Sequence, residues 1–170
     1  MRLRHKITTL VYLFDKRGRL LLLHRRKKPN RGLWSPIGGK LHTGEGESPY
    51  ECAVREIREE IGLKVSAKDL HLSGLVAEHG YEGEHHWLMF LFECKKKLVR
   101  LPPRHQEGVF EFVPLGKVSK LKIPHTDKQI LWPLFRKYRG GFFSVKIDCV
   151  GGKKLKWKLE EARQSLRSKV

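Results

Sequence analysis

Along most of this chain, apolar residues come in short runs parted by turn-forming residues. Ile7 to Phe14 (ITTLVYLF) and Arg19 to Arg25 (RLLLLHR) are joined by Asp15-Lys16-Arg17-Gly18, which predicts a β-hairpin. The loop from Lys27 to Gly32 leads into a short strand within Leu33 to Gly39 (LWSPIGG). Further strands are predicted at His71 to His79, at His85 to Cys94 beyond a YEGE turn, and at Gly108 to Leu115.

Between these runs the period changes. From Tyr50 onward, Tyr50, Ala53, Val54, Ile57 and Ile61 fall on one side at about 100° per residue. Ser48 caps this segment, Pro49 takes the first helical position, Glu51 completes a capping box and Gly62 stops it. The helix is therefore predicted from Pro49 to Ile61. A second helix lies in PHTDKQILWPLFRKYRGG, capped by Thr126 or Asp127 and ending near Gly140. The tail, FFSVKIDCVGGKKLKWKLEE, predicts a hairpin turning at Val150-Gly151-Gly152, with a short basic helix after it. Strands, helix, strands, helix is the order of an α+β fold with a mixed central sheet and helices packed on it.

Length and composition fit one domain: 170 residues, 39% of them hydrophobic, with no repeat and no linker that would split them. Residues 1–140 form the main unit, and 141–170 a basic extension of the same domain. No apolar run reaches the roughly 18 residues of a membrane span, and the basic start MRLRHKITTL lacks a signal-peptide core. Cys52, Cys94 and Cys149 lie far apart, which suits reduced thiols in a cytoplasm. The chain carries 36 Lys+Arg against 18 Asp+Glu, a formal +18. That balance suits polyanionic company, nucleotide or nucleic acid, or it spreads cations evenly over a soluble surface. No protein partner is implied.

Against this charge, the first helix gathers acid. Glu56, Glu59 and Glu60 share an arc about 100° wide beside the buried stripe, with Arg55 and Arg58 farther round. Each like-charged i,i+4 pair costs roughly a few tenths of a kcal/mol. Taken alone, the helix could present a solvated acidic face. Its context offers a second reading: Gly38-Gly39 and a loop holding Glu45 and Glu47 feed its N-terminus. Clustered carboxylates with a nearby backbone carbonyl suit a hard cation, Mg²⁺ or Mn²⁺.

The stretch GGKLHTGEGESPYECAVREIREEIGL resembles the signature of the Nudix hydrolases. That pattern runs Gly, five residues, Glu, seven residues, then Arg-Glu-apolar-x-Glu-Glu-x-Gly-apolar. Arg55 to Leu63 matches its second half, and Glu47 stands seven residues before Arg55. Seven residues rather than five separate Gly39 from Glu47, so the loop holds two extra residues, placed at the doubled GEGE. Glu45 keeps the spacing from Gly39; Glu47 keeps the spacing to the helix and is preferred, because a helix fixes geometry more tightly than a loop. The likeness extends from about Ile7 to Tyr138.

The resemblance implies an α/β/α sandwich with a C-terminal hairpin extension. It also implies an enzyme that hydrolyses a diphosphate linkage with a divalent cation. Glu56, Glu59 and Glu60 would bind metal with help from the Gly39 carbonyl, and Arg55 would hold the acidic cluster by salt bridges. Glu56, or Glu107 on the later loop PPRHQEGVFEF, would activate the water. Arg25, with Arg26, Lys27 and Lys28 behind it, would meet substrate phosphates, and Lys40 and Glu47 would complete the substrate side. IPHTDKQILWPLFRKYRGGFF resembles members that remove oxidised purine nucleotides such as 8-oxo-dGTP. Those members read the base with an Asn after a Trp and an Asp pair before the last helix. Here Ser35 follows Trp34, and Asp127 is followed by Lys128. Trp34, Trp87 and Trp132 are stacking partners or core residues. His85 and His86, adjacent in a strand, point to opposite faces and do not form a zinc pair. RNA 5′ ends, nucleotide sugars and a non-catalytic binding module remain alternatives, the last disfavoured by the intact REIREE.

Overall fold

Strands that are apolar at every position need cover on both faces, and the central strands here receive it. The computed structural model describes residues 3–28, 30–151 and 154–166. Strands β1 (His5–Asp15) and β2 (Leu20–Arg25) form the predicted hairpin; β3 (Trp34–Ser35) follows, then helix α1 (Pro49–Ile61). Next come β4 (Leu70–Tyr81), β5 (His85–Leu98), β6 (Gly108–Val113), helix α2 (Trp132–Lys137), β7 (Phe142–Asp148) and β8 (Lys156–Arg163).

The sheet order is β3-β2-β1-β5-β4-β7-β8, with β6 also paired to β2. β1 runs parallel to β5 and β4 parallel to β7, while the remaining pairs are antiparallel, so the sheet is mixed. Alternation along β1 and β2 divides the core in two. Val11, Leu13, Leu21 and Leu23 pack with Ala53 and Ile57 of α1 on one face. Tyr12, Phe14, Leu20 and Leu22 pack with Ile130, Leu131 and Phe135 on the other. One helix covers each face, which makes the α/β/α sandwich.

Two local expectations are corrected. Neither Thr126 nor Asp127 caps the second helix: Thr126 is itself helical (φ −65°, ψ −41°), and helical backbone begins at His125. Its first turns are widened over Asp127–Leu131, where the Trp132 N–H bonds back to the Asp127 carbonyl. Pro133 follows at once and offers no N–H to the previous turn, which accounts for a register change at this point. In the tail, the alternation of Lys with apolar residues predicts Lys154, Lys156 and Lys158 on one strand face, but Lys154 precedes β8, so of these Lys156 and Lys158 share the exposed face of that edge strand. β7 is no appendage, since Phe143, Val145 and Ile147 are fully buried. Gly152 of the predicted turn, and residues 167–170 of the predicted basic helix, lie outside the described residues. Among the described residues no helix is long and apolar enough to cross a membrane.

Candidate active site

The residues after β3 turn back along the free edge of β1. Thr9 N–H donates to the Gly39 carbonyl (2.9 Å) and Val11 N–H to the Ile37 carbonyl (2.8 Å). Gly38 is drawn so close that a Cβ there would stand 1.9 Å from the Thr9 carbonyl oxygen, at φ +152°. Gly39 meets the helix instead: a Cβ on it would stand 2.1 Å from Glu56 Oε1. The diglycine is thus a close-packed junction between β1 and the acidic helix.

α1 starts where its caps dictate. Glu51 N–H donates to Ser48 Oγ (3.2 Å), and Ser48 N–H donates back to the Glu51 carboxylate (2.8 Å). Gly62 closes the helix at φ 69°. This frame aims Arg55 into the acidic cluster. Its Nε and Nη2 fork onto Glu47 at 2.7 and 2.9 Å, and its Nη1 reaches Glu56 at 2.7 Å and Glu59 at 3.3 Å. The Arg55 hydrogen bonds, above all, hold the Glu47 carboxyl down at about 2.

Glu45 and Glu47 have different surroundings. Glu47 is the one clamped by Arg55, while Glu45 sits in a short 3₁₀ turn (Thr43–Glu45) with its side chain 80% exposed. That turn, closed by Gly46, absorbs the two extra loop residues. Both Glu47 oxygens are already engaged, one also by the His42 N–H at 2.8 Å, and Glu47 does not line the cleft. Its expected place on the substrate side is corrected: it positions Arg55. The Gly39 carbonyl is likewise committed, accepting from Thr9 N–H and from Thr8 Oγ at 2.7 Å, so Gly39 contributes clearance for Glu56 and not a free donor oxygen. Trp34 is turned away from the cleft and stacks on His24, with ring centroids 4.7 Å apart.

The other expected residues converge on one cleft of about 600 Å³, within the range of small-ligand sites. Glu56, Glu59, Glu60 and Glu107 line one end of it with Arg25 and Lys40, and Ser35 and Asp127 also line it. Arg25 pairs with Glu107 at 3.3 Å, and Gly38 N–H donates to Glu60 Oε1 at 3.0 Å. Glu60 is pushed up to about 8, first by burial and then by the Glu56 and Glu107 carboxylates, against the Gly38 N–H and Arg25. Among the described residues no three His, Cys, Asp or Glu stand close enough to enclose an ion, because Glu56 and Glu59 are turned onto Arg55. The donor set nevertheless fits a hard divalent cation: every ligand is a carboxylate oxygen, and the charge crowded around Glu60 is what such an ion offsets.

Several groups escaped the sequence reading. Glu78, Tyr81 and Thr126 all line the cleft. Glu78 is only 4% exposed, in phase along β4 with fully buried Val76, and that phasing was the one signal that could have exposed it. Of the stacking candidates, Trp132 is core and Trp87 lines the cleft. His86 stacks on His79 (4.8 Å) whereas His85 approaches Glu84 (4.0 Å), as neighbours on opposite strand faces must.

A diglycine junction, an Arg-clamped acidic helix and a nucleotide-sized cleft on an α/β/α sandwich together define a pyrophosphohydrolase class of site. The Nudix domain family matches residues 4–134, and the chain belongs to the Nudix hydrolase family. It is 29% identical over 129 residues to the uncharacterized Nudix hydrolase YvcI of Bacillus subtilis, covering 74% of this chain and 76% of that one. It is 28% identical over 130 residues to an RNA pyrophosphohydrolase of Sphingopyxis alaskensis, covering 67% and 80%. The mutator MutT protein of Bacillus halodurans superimposes with a TM-score of 0.66 at 24% identity, over 91% of this chain and 97% of that one. At that identity the likeness is one of fold.

Proposed function

We propose that this protein cleaves a diphosphate linkage in a nucleoside triphosphate or related nucleotide, with Mg²⁺ or Mn²⁺ held by Glu56, Glu59 and Glu60. The observation that carries the reading is the continuity of the cleft, which joins the carboxylate end to Ser35, Glu78 and Asp127 in one volume. Such a cation supplies charge neutralisation at phosphate and acidifies water. Arg55 sets the carboxylates in register. Arg25 and Lys40 meet substrate phosphates, and Glu107 or Glu56 takes the proton from the attacking water. Asp127 stands where oxidised-purine members carry an Asp, so 8-oxo-dGTP belongs in the test. Turnover on a panel of dNTPs, 8-oxo-dGTP, nucleotide sugars, dinucleoside polyphosphates and triphosphorylated RNA, with products identified, decides it. No hydrolysis of any member would refute the reading. We place the protein in the cytoplasm, on its three free thiols, and read 141–170 as an extension of the 1–140 hydrolase domain.

The net charge of +18 and the exposed Lys156 and Lys158 favour one further reading, action on RNA 5′ ends. A chain ending at Gly140 is no test of it, because buried β7 would be lost with the tail. The test is single-stranded RNA affinity against salt for the full chain and for Lys156→Glu/Lys158→Glu. If the strand tracks a nucleic-acid backbone, log K falls by about 0.7 per phosphate neutralised for each tenfold rise in salt, and the slope shrinks in the variant. Equal slopes leave β8 as a sheet edge guarded by lysines.

A further inference from the structure

Among the described residues, three buried side-chain polar atoms have no hydrogen-bond partner: Ser35 Oγ, Glu78 Oε1 and Trp132 Nε1. Two of the three residues, Ser35 and Glu78, line the same cleft. A buried polar atom without a partner is rare in folded proteins and calls for a reason. Glu78 is the more demanding case, since its carboxyl is 4% exposed.

In a chain with twice as many cations as anions, no ion pair reaches Glu78 among the described residues, although Lys28 and Lys40 line the same cleft. Burial pushes Glu78 up to about 7, and only the Thr126 hydroxyl opposes the rise. Asp127, two elements away in sequence, is pushed up to about 7 by burial and by Glu78 itself. Among the described residues, Tyr12 of β1, Tyr81 farther along β4 and Cys149 after β7 feel the pair's charge, all raised by burial and so uncharged at neutral pH. Leu10, Trp87 and Met89 supply apolar wall in the same cleft. Lys28, Asn30, Lys40 and Gln106 bring N–H donors to the same cleft, but none bonds Glu78 Oε1, which leaves that oxygen open to a donor on a ligand, and the apolar wall suits a planar ring carrying one.

We infer that Glu78 is a specificity-determining residue, whose unpaired Oε1 accepts a hydrogen bond from the exocyclic amino group of a purine base. The inference rests on the nucleotide reading above and adds the base class. Guanine carries that amino group at C2 and adenine at C6; hypoxanthine keeps the 6-oxo ring and N1–H of guanine but lacks the amino group. As the pair ionises, its oxygens become pure acceptors, so preference for an amino-bearing base strengthens as pH rises from about 6 to about 8.

The experiment compares kcat/KM for dGTP, dATP and dITP in the wild-type chain and in Glu78→Gln, at pH 6, 7 and 8. The amide keeps the shape of the side chain and needs no ionisation, and thermal unfolding checks that the variant is folded. The expected result is a wild-type preference for dGTP or dATP over dITP that grows with pH. In the variant, whose amide oxygen can still accept but no longer changes protonation, that ratio stops changing with pH. Should Glu78→Gln prove unstable, base-preference profiles of the wild type and Glu78→Asp take its place, the shorter acid being expected to lower the ratio. Nucleotide turnover with the same ratios at every pH in wild type and variant overturns the role of Glu78 alone. Absence of turnover on every nucleotide in the wild type overturns the nucleotide reading and this inference together.

Discussion

Gly39→Ala separates placement of the acidic cluster from stability of the fold. A Cβ at Gly39 would lie 2.1 Å from Glu56 Oε1 and 2.4 Å from its Cδ, against an ordinary contact of at least 3.4 Å. The carboxylate must therefore retreat by about 1 Å. It is the far end of a flexible side chain, and Gly39 is not among the glycines with positive φ, so the backbone can stay where it is. The Glu56–Arg55 contact at 2.7 Å would be strained or lost. A shift of about 1 Å in a catalytic group can reduce turnover on the order of 100-fold. Gly38→Ala is the contrast. Its Cβ would stand 1.9 Å from the Thr9 carbonyl, a backbone atom with no such freedom, at a φ that an L side chain rarely adopts. Steady-state kinetics with thermal unfolding reads both. Gly39→Ala should keep a melting temperature near wild type while kcat falls about 100-fold; Gly38→Ala should lose stability first. Wild-type kcat in Gly39→Ala, or a larger melting shift there than in Gly38→Ala, would refute the reasoning.

Glu59→Gln and Glu60→Gln should each lower turnover by orders of magnitude with the fold intact. Glu60→Gln should even raise apo stability near neutral pH, since it removes a buried carboxyl that must take up a proton on folding; near wild-type kinetics in both variants would exclude the site. Arg55→Lys keeps the charge but not the two-pronged contact with Glu47 at 2.7 and 2.9 Å, and kcat should fall at least about tenfold. Glu47→Gln should impair activity more than Glu45→Gln, because only Glu47 meets Arg55. Glu47 also has a pH signature. Its folded pKa of about 2 lies below the ordinary 4.5, so its contribution to stability is present above pH 4.5 and lost as pH falls towards 2. Melting temperature should therefore drop less steeply across that window in Glu47→Gln than in wild type.

Local rules carried much of this protein into view before any coordinates. The span of α1 follows from Ser48, Pro49, Glu51 and Gly62 alone, because caps act within a turn of the residues they satisfy. The hairpin of β1 and β2, and the grouping of Glu56, Glu59 and Glu60, follow from period and spacing in the same way. Choices that depend on a distant element needed the folded chain. Spacing to the helix favours Glu47 over Glu45, but that Glu47 meets the Arg55 fork while Glu45 lies in an exposed 3₁₀ turn depends on the folded loop. The Gly39 carbonyl suited a metal on paper, but β1 already occupies it through Thr8 and Thr9. Trp34 sat beside the expected base-reading position in sequence, yet its ring turned to His24. Glu78 was read as part of an unremarked strand. Parallel pairing of β4 with β7, together with the packing of the Thr126-Asp127 segment, buries it in the cleft with no ion pair among the described residues. A strand's own alternation says which side a residue faces; only the elements stacked on that side decide what its atoms meet.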